Sequence, residues 1–288
     1  KETPTLVGDF CVISCMKRLW VILFVIPLLS QNSGFEHLVV FGDSHSDNGF
    51  DDGHGFESYS NGKVWPEYLA DSLRVKTLDV RAWGGAFSGM GNEGSNAKDW
   101  SGLLWQVQEY NSSTELNKTL AIVEIGFNDL HDPAYKISPS QVVDNIINAV
   151  KLLSSKGIKH AIVWNVNIHP MPPAFTYNKY PSYKYYNNEI QFAKKQFEEF
   201  NSLINIAVIE FNAEQKNTKI YLWDAEKEIT KIAENFEDSI SIYKNSKFYP
   251  KKGKWFWFDE WHFMTETHQY VANRIFQFIN ARVSTQIK

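Results

Sequence analysis

The sequence predicts an α/β layer fold built on a mainly parallel sheet. Three observations carry this. Apolar runs of strand length stand at 37–42, 119–126 and 159–167. Stretches of helical periodicity alternate with them. No internal repeat and no linker rich in Pro, Gly or Ser marks a second domain.

The elements follow in chain order. HLVVFG (37–42) reads as a buried strand, and VWPEYLADSL (64–73) as a helix with Pro66 near its first turn. KTLDVRAW (76–83) is a weaker, alternating strand, and TLAIVEIG (119–126) a strong buried one. SPSQVVDNIINAVKLLSSKG (138–157) is a helix with Ser138 as its cap and Gly157 at its end. KHAIVWNVN (159–167) is a third strong strand. The stretch 187–215 is a long helix, KIYLWDA (219–225) a strand, and 265–282 a closing helix. One segment breaks this rhythm. HPMPPAFTYNKYPSYKYY (169–186) holds four prolines and five tyrosines, with no clear element, and reads as a loop.

Composition narrows the options. The 288 residues are 43% hydrophobic and 15% aromatic, enough for a substantial core. Net charge is −4, and no clustered basic face suggests nucleic acid as a partner. The lysines at 244–254 are interrupted by aromatics and glycine and read as a solvated loop. Met16-Lys17-Arg18 precedes an apolar run from Leu19 to Leu29 and then small polar residues, the pattern of a secretory signal. That run is shorter than the ~20 residues a stable membrane span requires. We therefore expect a leader and signal over 1–33, cleavage near Ser33, a single domain over 34–288, and secretion. Both cysteines, Cys11 and Cys15, precede the expected cleavage point, so no disulfide is expected in the mature chain.

In parallel α/β sheets ligands bind beyond the carboxyl ends of the strands. There the sequence places Gly42-Asp43-Ser44, then Trp83-Gly84-Gly85-Ala86, then Gly126-Phe127-Asn128-Asp129. Asp259-Glu260-Trp261-His262 stands before the last helix. A serine hydroxyl becomes a nucleophile when a base takes its proton. His262 suits that role, since an ordinary imidazole is mostly neutral at pH 7. Asp259, three residues earlier, can fix the imidazole tautomer. The backbone N–H groups of Ser44 and Gly85 and the side-chain amide of Asn128 can receive the oxyanion. Gly84 is the alternative to Gly85, and Ser46 the rival to Ser44. The plain alternative for Ser44 is a turn residue in Asp-Ser-His-Ser-Asp.

These four blocks resemble those of the GDSL-type lipase/esterase family, the SGNH hydrolases. FGDSHSDNG matches the first block, with His45 where the family name has leucine. AWGGA, Gly126-x-Asn128-Asp129 and DEWHFMTETH match the others in order, and the resemblance spans roughly 37–280. It implies a three-layer α/β/α sandwich of flavodoxin-like type and a serine esterase. Ser44, Asp259 and His262 would be the triad, and Ser44, Gly85 and Asn128 the oxyanion hole. The expected substrates are small-molecule, lipid or glycan esters, with a lean toward short-acyl or carbohydrate esters. A lipase or lysophospholipase is the alternative, and a non-catalytic carbohydrate- or lipid-binding module a further one.

No cofactor or metal is expected. Asp47, Asp51, Asp52 and His54 miss the calcium-loop spacing. Gly89-x-Gly91-x-x-Gly94 neither follows a strand nor opens an apolar helix, so it does not read as a dinucleotide site. G-x-S-x-G is absent, which argues against the other common serine-esterase fold.

Overall fold

Five apolar strands pair in parallel in the order β2-β1-β3-β4-β5. They are β1 (His37–Gly42), β2 (Thr77–Val80), β3 (Thr119–Glu124), β4 (His160–Trp164) and β5 (Lys219–Trp223). The computed structural model describes residues 34–49, 54–93, 98–112, 114–236, 238–242 and 255–284. The expected leader and signal, both cysteines, Asp51, Asp52, Gly94 and the lysine cluster at 244–254 lie outside the described residues.

The strands read as continuous apolar runs because both faces of the sheet are covered. All six residues of β3 are buried. Side chains alternate between faces along each strand. Val39, Phe41, Ala121, Val123, Ala161 and Val163 pack on one side. Leu38, Val40, Leu120, Ile122, Ile162 and Trp164 pack on the other. The first face is covered by α2 (Leu103–Glu109), α4 (Pro139–Lys156) and α6 (Tyr183–Glu214). The second is covered by α1 (Trp65–Leu73), α7 (Ala225–Ala233) and α8 (Thr265–Phe278). This is the three-layer sandwich that the sequence predicts.

Local signals set the helix ends. Ser138 accepts a hydrogen bond from the Gln141 N–H at 3.2 Å, and Pro139 takes the first turn of α4. Gly157, at φ +117°, closes it. In α6 a stripe of Ala193, Phe197, Phe200, Ile204, Val208 and Phe211 faces the core. Each fully buried Phe of this stripe contributes roughly 1.5–3 kcal/mol.

Several elements differ from the sequence reading. The stretch 169–186 is not one loop. It contains α5 (Pro173–Thr176) and the first turn of α6, which starts four residues before the expected 187. Helices α2 and α7, a short α3 (Phe127–Leu130), and a two-stranded parallel pair, β6 (Asp238–Ile242) with β7 (Trp255–Trp257), were not read from the sequence.

In this order β2 is added on one side of β1 and β3 on the other, so the crossovers leave β1 and β3 in opposite senses, the switch point where a crevice opens. Ser44 leaves the end of β1, and Asn128 follows β3.

Candidate active site

Gly42 ends β1 where a side chain has no room: a Cβ there would lie 2.5 Å from the Glu124 carbonyl oxygen on β3. The buried Gln106 of α2 fixes this strand end. It donates to the Gly42 carbonyl at 2.8 Å and accepts from the Gly42 N–H at 3.0 Å. A tight turn follows, in which the Ser46 and Asp47 N–H groups donate to the Asp43 carbonyl. Ser44 stands on this turn, and its own N–H has no partner among the described residues.

The Ser44 hydroxyl lies 2.9 Å from His262 Nε2. On the other side of the ring, His262 Nδ1 lies 2.8 and 2.9 Å from the two Asp259 carboxylate oxygens. The Trp261 and His262 backbone N–H groups each donate to Asp259 Oδ1 at 2.8 Å. Burial alone pushes the Asp259 carboxyl up. The His262 hydrogen bond and charge, with these N–H donors, outweigh burial and hold it below the usual carboxylate range. Nδ1 therefore carries a proton toward Asp259, which leaves Nε2 to accept the serine proton.

Asp47 gathers the next wall. Its carboxylate accepts from the N–H groups of Gly49, Phe56 and Gly84 at 2.8–2.9 Å. The Gly84 N–H is therefore taken. The Gly85 N–H, at a glycine with φ +74°, has no partner among the described residues. Asn92 clamps the Gly84 carbonyl at 2.8 Å. Past β3, Gly126 at φ +116° turns the chain into α3. Asn128 donates one amide hydrogen to the Ala86 carbonyl at 3.1 Å and keeps the other. Next to it, Asp129 braces the glycine segment by accepting from the Ser88 N–H and hydroxyl.

These groups line one cleft of about 660 Å³, which includes Ser44, Gly84, Gly85, Asn128 and His262. Phe127, His131, Tyr186 and Trp261 supply an aromatic wall. The aromatic segment 169–186 is pinned to that wall. The Ala174 N–H donates to the Glu260 carbonyl at 3.0 Å, and the Ser182 hydroxyl donates to the Glu260 carboxylate.

A second cluster lies beside Ser44. Asp43, His45 and Glu124 bring ligand-type atoms within 4.8 Å of one another. Burial, and then the mutual repulsion with Glu124, pushes Asp43 well up, and burial takes Glu124 from 4.5 to about 7. The carboxyl pair thus holds protons of its own. Burial, reinforced by His262, takes the His45 imidazole down to about 4. Neutral His45 stacks on Phe263 at 4.6 Å, and its Nε2–H donates to the Trp261 carbonyl at 3.1 Å. Its ring thus packs on Phe263 on one face and adds one hydrogen bond. Ser46, the rival nucleophile, is buried: it donates to Glu124 at 2.8 Å and accepts from Trp65 Nε1 at 3.1 Å.

Sequence reasoning missed Gln106, Asn92, Tyr59 and Glu124, and it weighed Asp47 only as a metal ligand. Only Glu124 carried a signal, a charge at the end of an otherwise apolar run. Tyr59 lies over His262, with ring centroids 4.8 Å apart.

A flavodoxin-like sheet with this cleft at its switch point defines an ester-bond hydrolase of the acylesterase type. The chain belongs to the GDSL-like Lipase/Acylhydrolase family, whose model matches residues 38–275. Solved structures with the same fold include a carbohydrate acetylesterase from Sinorhizobium meliloti, at 13% identity and TM-score 0.54. They also include the native aryl esterase from M. smegmatis, at 14% identity and TM-score 0.54. Each alignment covers 85% of this chain and 99% of the other. A search of the curated proteins finds no match.

Proposed function

We propose that the protein is a secreted serine esterase that works through an acyl-enzyme on Ser44. The observation that carries this reading is the unbroken hydrogen-bond chain from Asp259 through His262 to the Ser44 hydroxyl. His262 Nε2 takes the serine proton as Oγ attacks the ester carbon. The carbonyl oxygen becomes an oxyanion facing the N–H groups of Ser44 and Gly85 and the Asn128 amide. As the tetrahedral intermediate collapses, His262 returns the proton to the departing alkoxide, leaving an acyl-Ser44 ester. Water then repeats the sequence with His262 as base and releases the acid.

The lean toward short-acyl or carbohydrate esters draws on the cleft's charge. Its lining includes Glu93 and Glu260 beside aromatic rings, and no Lys or Arg among the described residues. Carboxylates accept hydrogen bonds from hydroxyls, and aromatic faces pack on the C–H faces of a sugar ring. A phosphate headgroup would meet repulsion there instead. Turnover on an acyl series from acetyl to long chains, with acetylated sugars alongside and Ser44→Ala as the blank, tests both parts. The expected result is a maximum at short chains and no turnover above background in the blank. A steep rise with chain length favours the lipase or lysophospholipase alternative.

Secretion rests on the basic and apolar pattern at 16–29. Expression in a secreting host should give a medium form whose N-terminus lies near Ser33, leaving 34–288 as the hydrolase domain. No helix among the described residues is long and apolar enough to cross a membrane.

A further inference from the structure

Tyr59 stands in the cleft beside the reacting groups, and nothing in the mechanism above uses it. The two residues that follow it are held to the segment after His262. The Ser60 hydroxyl donates to the Phe263 carbonyl at 2.9 Å, and the Thr265 N–H donates to the Asn61 side chain at 2.9 Å. The Tyr59 ring covers one face of the His262 imidazole, 4.8 Å away and tilted by 31°. The far edge of the same ring lies on Gly84. A Cβ at Gly84 would stand only 2.3 Å from the Tyr59 hydroxyl oxygen and 2.4–2.5 Å from the ring carbons beside it. Gly84 is thus a glycine because Tyr59 occupies the space a side chain would take.

This puts the phenol between the imidazole and the residue that precedes Gly85. Tyr59 lines the cleft, and its hydroxyl has no hydrogen-bond partner among the described residues. Stacking on His262 needs only the ring, which phenylalanine would supply equally. A hydroxyl at this position adds a hydrogen-bond donor that stacking does not require. Burial pushes the phenol up to about 12, and the carboxylates of Asp47, Glu57 and Asp259 act in the same direction, so the group stays protonated. An ester presents only acceptor oxygens to it.

We propose that the Tyr59 hydroxyl is a further catalytic donor, giving a hydrogen bond to the reacting ester at the Gly84 edge of the oxyanion hole. This rests on the Ser44–His262 reading above. The donor is preorganised, because the ring is clamped between His262 and Gly84 and needs no rearrangement as negative charge grows on the substrate.

Tyr59→Phe tests it, since it removes one oxygen and keeps the stacked ring. Wild type, Tyr59→Phe and Ser44→Ala are compared on one short-chain ester, with thermal melts to confirm folding. Loss of a single donor of this kind typically costs ~10²–10³ in turnover, and as one donor of four Tyr59 should cost about tenfold to a hundredfold. The expected result is that fall in kcat for Tyr59→Phe, with KM within threefold of wild type. A kcat within threefold of wild type overturns the proposal, whatever KM does. Ser44→Ala separates this failure from the wider one. If Ser44→Ala is dead and Tyr59→Phe is fully active, only the Tyr59 donor falls. If Ser44→Ala retains activity, the serine reading falls and takes the donor with it.

Discussion

Two clusters of carboxyls and imidazoles flank Ser44, and their carboxyls are held in opposite protonation states. On one side Asp259 accepts from two backbone N–H groups and from His262, which keeps it ionised despite burial. On the other side Asp43 and Glu124 are buried against each other, and both are pushed up. His45 among them is pushed down to about 4. Depth alone does not separate the clusters. The partner does: His262, backed by two N–H donors, holds the Asp259 charge, whereas Asp43 and Glu124 face each other in a desolvated site and stay neutral. Ser44 sits between a charged brace and a neutral floor.

The largest effect should come from the charged side. Asp259→Asn keeps the shape but can stabilise the wrong imidazole tautomer, and kcat should fall on the order of 10³–10⁴-fold. A loss under tenfold would mean that Asp259 does not orient His262.

The neutral side should respond in stability rather than in rate. Glu124 holds a proton in the folded protein between 4.5 and about 7, a range in which the unfolded chain has lost it. The folded state binds more protons there. Its stability contribution is therefore full below 4.5 and is lost as pH rises through about 7. Glu124→Gln mimics the protonated acid and removes this slope. The fall in Tm from pH 5 to pH 8 should be smaller in Glu124→Gln than in wild type, with kcat changed only a few-fold. An equal fall would show that Glu124 is already ionised at low pH.

The smallest effect should come from His45→Leu. It removes the one hydrogen bond to the Trp261 carbonyl, a net loss of about 1 kcal/mol. That corresponds to about 2–4 °C in Tm for a chain near this size. Turnover should stay within a few-fold, because Asp259 holds the same turn through two backbone N–H groups. A hundredfold loss would make His45 part of the reaction and dissolve the contrast between the clusters.

What was legible in the sequence follows the same division. β1, β3 and β4 stood out because strands buried on both faces are apolar without interruption. Asp259 and His262 stood out because a carboxylate three residues before a histidine meets it within one turn. Tyr59, Asp47 and Gln106 have no such local pattern. Gln106 meets Gly42 across 64 residues of sequence, and Asp47 meets Gly84 across 37. Only the fold brings them together. Helix α2 was missed because its seven residues are too few to show a period, and the start of α6 was hidden behind Pro181 and its run of tyrosines. No sequence pattern records the hydrogen bond that distinguishes Gly84 from Gly85, the one from the Gly84 N–H to Asp47.

The central claim is that the Ser44 hydroxyl is the activated nucleophile. Treatment with an organophosphonate ester, followed by peptide mass mapping, reads this directly. One adduct is expected, on the peptide carrying Ser44, formed in step with loss of esterase activity and suppressed in His262→Ala. Complete inactivation with the adduct elsewhere, or an active enzyme that carries the adduct on Ser44, would contradict it.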